Sequence, residues 1–288
     1  MSYYEPAHLS VADILNPAQL WKVQERFGNY ANQLIAASQH CVTTLSQAMQ
    51  LPLDGWVQDA GRSVVASAQG GEVIIKSPLV DGWNTVAAIA AYAETGAGPE
   101  TRSLSIGASL DGSASPCAVA MERVDGRYLH PSETPTVEEL ATIVTLAGQM
   151  DFTNLPMQPK FITLQDRLEI EIIEAVRRAR VLGDTSSVAE LSLLAAKISR
   201  THRPARTCHG DLDMRNVLHH NGDIKIIDPE PLVAPVEFDA AKIAYSTGIN
   251  PSEVAEQLCI NVQLTADIHQ FMTVAGRLYQ RVKGGQLS

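Results

Sequence analysis

Apolar residues at Leu34, Ile35, Cys41, Val42, Leu45 and Met49 recur at helical spacing and predict an amphipathic helix within the first fifty residues. The segment 51–56, LPLDGW, holds Pro52 and an Asp54-Gly55 turn signal and reads as the break after that helix. From Trp56 to Lys76 the pattern changes to two short β-type runs, Ser63–Ser67 and Glu72–Lys76, separated by Gln69-Gly70-Gly71, which predicts a hairpin. An alanine-rich helix follows over Trp83–Ala93, stopped by Thr95-Gly96 and Gly98-Pro99. Two more strands are expected over Leu104–Ala108 and Cys117–Arg123, the second ending at Asp125-Gly126. Beyond Arg127 the periodicity becomes helical over 136–150, 164–182 and 187–201, returns to short β runs over 206–227, and is helical again from Pro251. A β-rich front part and a helical rear part, meeting near 124–127, predict an α+β chain of two lobes, 1–124 and 125–288.

Bulk properties narrow the class. With 288 residues, 45% of them hydrophobic and 19% charged, the chain can bury a core of ordinary size without a metal or disulfide staple. Its four cysteines, Cys41, Cys117, Cys208 and Cys259, are scattered with no CxxC pair, which argues against a zinc site or a secreted disulfide framework. The start, MSYYEPAHLSVADIL, lacks the basic opening and apolar run of a signal peptide, and no segment has the length of a membrane span. A cytoplasmic protein with no membrane partner is expected. The formal charge of -10 argues against nucleic acid as a partner, since phosphate backbones call for clustered Lys and Arg. It is compatible with a cationic small molecule, and equally with acidity that only keeps the protein soluble.

The informative stretch is 208–231, CHGDLDMRNVLHHNGDIKIIDPEP. Asp211 is followed five residues later by Asn216, then by an apolar run leading into Asp228. The Asn221-Gly222 pair between VLHH and DIKII is a hairpin signal. Moving a γ-phosphoryl group asks for positioning and charge neutralisation more than for covalent chemistry. One carboxylate can orient an acceptor hydroxyl and take its proton, while an amide oxygen and a second carboxylate can hold Mg²⁺.

The ordered set HGDLxxxN followed by IID resembles the catalytic and metal-binding loops of aminoglycoside phosphotransferases, small-molecule relatives of protein kinases. IIDPEPLV and EFDAA are similar to the streptomycin 6-phosphotransferase and hydroxyurea-resistance kinase branch. The resemblance implies a protein-kinase-like two-lobe fold using ATP and Mg²⁺. Asp211 would be the catalytic base, Asn216 and Asp228 the metal ligands, and His209 and Gly210 the shapers of the loop. Asp239 would anchor that loop from behind. Lys76, closing VIIK, resembles the strand lysine that meets the donor phosphates, although a lysine at a strand end can also be merely solvated. Backbone groups at Glu122 and Val124, in AVAMERVDG, would meet the adenine edge; a core strand ending in a turn reads equally well. The loop at Gly61-Arg62-Ser63 would cover the phosphates without being a glycine-rich fingerprint.

Three departures accompany the resemblance. The helix after Lys76 has no acid in its interior, with Asp81 before it and Glu94 at its end, so either another acid pairs with the lysine or it is held differently. Asp213 adds a third carboxylate, to be offset by Arg215 or by a cationic substrate, and no Phe-Gly follows Asp228. Other residues read as structural: His219-His220 as a surface pair, Cys208 as a buried filler, Glu230 as a turn acid, and Arg177, Arg178 and Arg180 as a solvated helix face. The expected activity is γ-phosphate transfer to a hydroxyl of a small polar acceptor, with an aminoglycoside first, an amino sugar or amino alcohol as alternative, and a nucleotide-binding pseudokinase as the non-enzymatic reading.

Overall fold

Helix α1 (Ala31–Ala48) and helix α2 (Gly82–Glu94) belong with five antiparallel strands, β1 (Leu53–Trp56), β2 (Ser63–Ala68), β3 (Val73–Pro78), β4 (Thr101–Ile106) and β5 (Cys117–Glu122), in the order β1-β2-β3-β5-β4. This computed structural model describes residues 14–15, 17, 20, 23–24, 27–58, 63–79, 82–106, 116–128, 135–201 and 203–286. Gly61, Arg62 and Asp81, and most of the segment before residue 27, lie outside the described residues. The chain divides into two compact units, Met1–Asp125 with Asp151–Pro159, and Gly126–Met150 with Lys160–Ser288.

In the first unit the two-residue period of β3 sends alternate side chains to opposite cores. Val73 and Ile75 join Ile35, Val42, Leu45 and Val64 beneath α1, while Ile74 packs with Val86, Ile89 and Trp83 of α2. Lys76 therefore stands on the α2 face, between Val65 of β2 and Val119 of β5, and only 4% of it is exposed. It is not a solvated strand end. The predicted break at LPLDGW is instead strand β1, paired with β2 at the sheet edge. Its turn-like composition has another use, because the Asp54 carboxylate accepts the amides of Gly70 and Gly71 at 3.2 and 2.8 Å and so closes the β2–β3 turn. Gln69, Gly70 and Gly71 all have positive φ there.

The second unit is helical around small patches of sheet. Helix α3 (Val137–Ala147) is followed by β6 (Ile162–Thr163), α4 (Leu164–Leu182) and α5 (Ser186–Ser199). Then come β7 (Arg206–Cys208), a 3-10 turn (Met214–Asn216), β8 (Val217–His220), β9 (Asp223–Ile226) and β10 (Leu232–Ala234). Helices α6 (Glu237–Thr247), α7 (Pro251–Gln257) and α8 (Val262–Gln286) complete it. Leu168, Leu191, Ile198, Leu232, Phe238, Ile268 and Phe271 share one core with Cys208. The basic run on α4 is only partly solvated. Arg178 turns inward, bonds Glu174 at 2.9 Å and lies over the Tyr279 ring of α8, 5.1 Å from its centroid, because a guanidinium can bury its flat face where an ammonium cannot.

Ile75 is fully buried beneath α1. Ile75→Ala should cost about 2–5 kcal/mol in a chemical unfolding titration, as removal of a buried aliphatic side chain does when its cavity cannot collapse. A cost near zero would show that the α1 face of the sheet is loosely packed.

Candidate active site

Strand β7 pairs with β10, Cys208 opposite Leu232, and the chain leaves this pair directly into the predicted loop. The first two residues of that loop are pinned by one side chain. Asp239, at the start of α6 and with no exposed surface, accepts the His209 amide on Oδ2 at 2.8 Å and the Gly210 amide on Oδ1 at 3.0 Å. Burial pushes its carboxyl up, against the His209 ring and the two amides, which pull it down. His209, also without exposed surface, is held at both ring nitrogens: Nδ1 accepts the Asp211 amide at 3.2 Å and Nε2 meets the Ile227 carbonyl at 2.9 Å. That pattern requires the neutral tautomer protonated on Nε2, in keeping with burial, which lowers its pKa from the usual 6.5. The imidazole thus ties the Asp211 segment to the strand that leads into Asp228.

Gly210 has φ +81, and an added Cβ would fall 1.8 Å from the Glu230 carbonyl oxygen. The close approach brings the DPEP segment against the loop, and the Glu230 amide bonds the His209 carbonyl at 2.8 Å. The β8–β9 hairpin turns through Asn221 and Gly222, both at positive φ as a two-residue type I′ turn demands. It sets Asn216 beside the residue preceding Asp228, for the Ile227 amide donates to the Asn216 carbonyl at 2.9 Å. The Asn216 Nδ2 donates to the Asp211 carbonyl at 2.8 Å, which assigns the amide orientation and leaves its oxygen as the atom suited to a cation. Asp228 follows in the left-handed region, φ +56, a conformation uncommon outside glycine. Tyr128 stands close enough that the Asp228 charge adds to burial in raising its phenol pKa.

The carboxylates are answered by cations of the chain itself. Asp213 caps the 3-10 turn by accepting the Arg215 amide at 2.9 Å, and takes the Arg215 guanidinium on both oxygens at 3.0 and 2.9 Å. Burial pushes the Asp213 carboxyl up, but these bonds, with the Arg215 and Lys242 charges, bring it below its ordinary range. Asp211 meets the ammonium of Lys242 at 2.8 Å. Lys242 belongs to none of the motifs read from the sequence. The signal that could have found it is a lone cation three residues after Asp239 in an otherwise apolar stretch of helix.

The second unit thus brings Asp211, Asn216 and Asp228 together through one hydrogen-bonded loop and hairpin. Lys76, Glu122 and Val124 lie in the first unit. Glu122 serves the sheet edge there: its amide donates to the Glu100 carbonyl and its carboxylate accepts the Glu100 amide, both at 2.9 Å. Glu94, the acid ending α2, is exposed and accepts from Asn154. In the second unit Glu230 pairs with Arg167 at 3.4 Å, and His219 lies 3.5 Å from Glu139. Among the described residues no cluster of three or more His, Cys, Asp or Glu could hold a metal by itself. Burial raises the Cys208 thiol well above its ordinary value, so it is no nucleophile.

Two outcomes follow for the pinned loop. Gly210→Ala should cost well over about 1 kcal/mol, since positive φ and a backbone clash combine, and unfolding titrations should show it. The protein should also lose stability as pH falls below about 6.5, because the unfolded state then protonates His209 while the fold resists. His209→Gln should flatten that slope between about pH 7.5 and about pH 5.5. Asp239, raised by burial, contributes with the opposite sign, so an unchanged slope in the variant would assign the effect to other groups such as His269.

No known family profile and no curated protein sequence matches the chain. Solved structures do. The GDP and kanamycin complex of APH(2")-IIia superposes with TM-score 0.60 at 14% identity, over 85% of this chain and 92% of that one. A ternary complex of a thermostable mutant of aminoglycoside phosphotransferase APH(4)-Ia with ADP and hygromycin B gives 0.56 at 17%, over 85% and 92%. A choline/ethanolamine kinase family protein from Mesorhizobium loti gives 0.55 at 13%, over 86% and 88%. At such identities the likeness is one of fold. The chain has the protein-kinase-like two-lobed α+β fold that these phosphotransferases and kinases share.

Proposed function

We propose that the chain is a small-molecule kinase that transfers the γ-phosphoryl group of ATP to a hydroxyl of a small polar acceptor. The observation that carries this reading is the pinned loop, which presents Asp211 while Asn216 and Asp228 stand on the adjoining hairpin. Asp211 orients the acceptor hydroxyl and takes its proton as the oxygen–phosphorus bond forms and the bond to the leaving ADP breaks. The donor set of one amide oxygen and one carboxylate fits Mg²⁺, which takes few protein ligands and completes its shell with water and phosphate oxygens. Bound there, the ion would supply neutralisation of phosphate charge. Lys76 is the cation for the donor phosphates. Because the Glu122 amide is engaged in the sheet, the adenine contact falls to the Glu122 carbonyl and the Val124 amide.

On the acceptor side the fold neighbours include proteins solved with kanamycin and with hygromycin B, which supports an aminoglycoside as first candidate. The choline/ethanolamine kinase family neighbour supports an amino alcohol as second. Both classes are cationic, in keeping with the formal charge of -10. We place the enzyme in the cytoplasm: among the described residues no helix is long and apolar enough to cross a membrane, and no cysteine forms a disulfide.

The test is phosphoryl transfer from labelled ATP to kanamycin, streptomycin, choline and ethanolamine. Asp211→Asn should abolish transfer while leaving ATP affinity within a few-fold, whereas Asp228→Ala should remove Mg²⁺-dependent ATP binding. Equal loss of binding and turnover in Asp211→Asn would make that residue a metal or folding group. ATP binding without any transfer or hydrolysis would make the chain a nucleotide-binding pseudokinase.

A further inference from the structure

Helix α6 meets the catalytic loop twice on one face. Asp239 takes the amides of His209 and Gly210, and Lys242, three residues on and therefore on the same face, places its ammonium 2.8 Å from the Asp211 carboxylate. Three consecutive loop residues are thus gripped by two side chains of one helix. We propose that Lys242 is the positioning residue of the proposed base: it fixes the Asp211 carboxylate before any acceptor arrives. This assignment rests on the reading of Asp211 given above.

Several observations separate it from an ordinary surface ion pair. The side chains of Lys242 and Asp211 are 21% and 27% exposed, so both are shielded yet the carboxylate stays within reach of a solute. A charge-assisted bond in such a setting is stronger and less screened than one between fully solvated chains. The helix that carries Lys242 is itself locked to the loop through Asp239 in its first turn, so the ammonium is delivered by a rigid element. Arg215 is committed to Asp213 by three bonds and is 84% exposed, which leaves Lys242 as the shielded cation of the cluster.

The bond to Oδ1 restricts rotation of the carboxylate about its Cβ–Cγ axis. A base must present one oxygen to the acceptor hydroxyl at near-attack geometry, and a freely rotating carboxylate would have to be ordered on each turnover. Lys242 therefore acts on the rate of transfer and not on nucleotide binding. It offers the acceptor nothing directly.

Lys242→Met, Lys242→Gln and Lys242→Arg should be compared with the wild-type chain in ATP binding by titration and in phosphoryl transfer to the acceptor panel above, with ATP hydrolysis in its absence. The Met and Gln variants should lose at least tenfold in kcat with KM for ATP within a few-fold, and the Arg variant should recover most of the loss. If the Met variant fails to fold, the Gln variant, which keeps a donor but no charge, carries the comparison. Wild-type turnover with kcat unaltered in folded Met or Gln variants, or with ATP affinity falling as far as turnover, would overturn the assignment and leave the kinase reading standing. Wild-type chain that binds ATP yet neither transfers nor hydrolyses would overturn the kinase reading first, and the role of Lys242 with it.

Discussion

A carboxylate with no exposed surface, that of Asp239, holds the loop that carries Asp211 in place. Burying an ionised Asp239 costs several kcal/mol unless its lone pairs are satisfied. Here two successive amides satisfy them, and those amides belong to the two residues before Asp211. The remaining constraints follow from this pin. With Gly210 drawn onto Asp239, the chain must pass so close to Glu230 that no side chain fits, and the DPEP segment is fixed relative to the loop. The neutral His209 ring then bridges to Ile227, and Asn216 reaches back to the Asp211 carbonyl. Remove the Asp239 carboxylate and the amides of His209 and Gly210 are left without their acceptor while the loop loses its register.

Much of this was legible because it is local. His209, Gly210, Asp211, Asn216 and the Asn221-Gly222 turn lie within fourteen residues, so spacing alone places them on one loop and one hairpin. Periodicity likewise gave α4 its bounds and found the β2–β3 hairpin. What spacing cannot show is a partner supplied from a distance. Asp54 reads as a turn former, and its actual turn lies sixteen residues on, in β2–β3. Arg178 reads as surface because a helical wheel does not reveal Tyr279 a hundred residues later. Lys242 escaped for the same reason: its partner is thirty-one residues upstream, and only the docking of α6 brings them together.

The acids of the loop are balanced by cations of the same chain. Three carboxylates, Asp211, Asp213 and Asp228, would form a strong field if they stood alone, and a cationic substrate could be invoked to answer it. Asp213 and Asp211 are instead answered by Arg215 and Lys242 of the same chain. Glu230, the next acid, is answered by Arg167 of α4, itself held by Glu171 at 3.3 Å. The chain's overall charge of -10 is thus not concentrated at Asp211, whose nearest ion-pair partner is a lysine of the same chain.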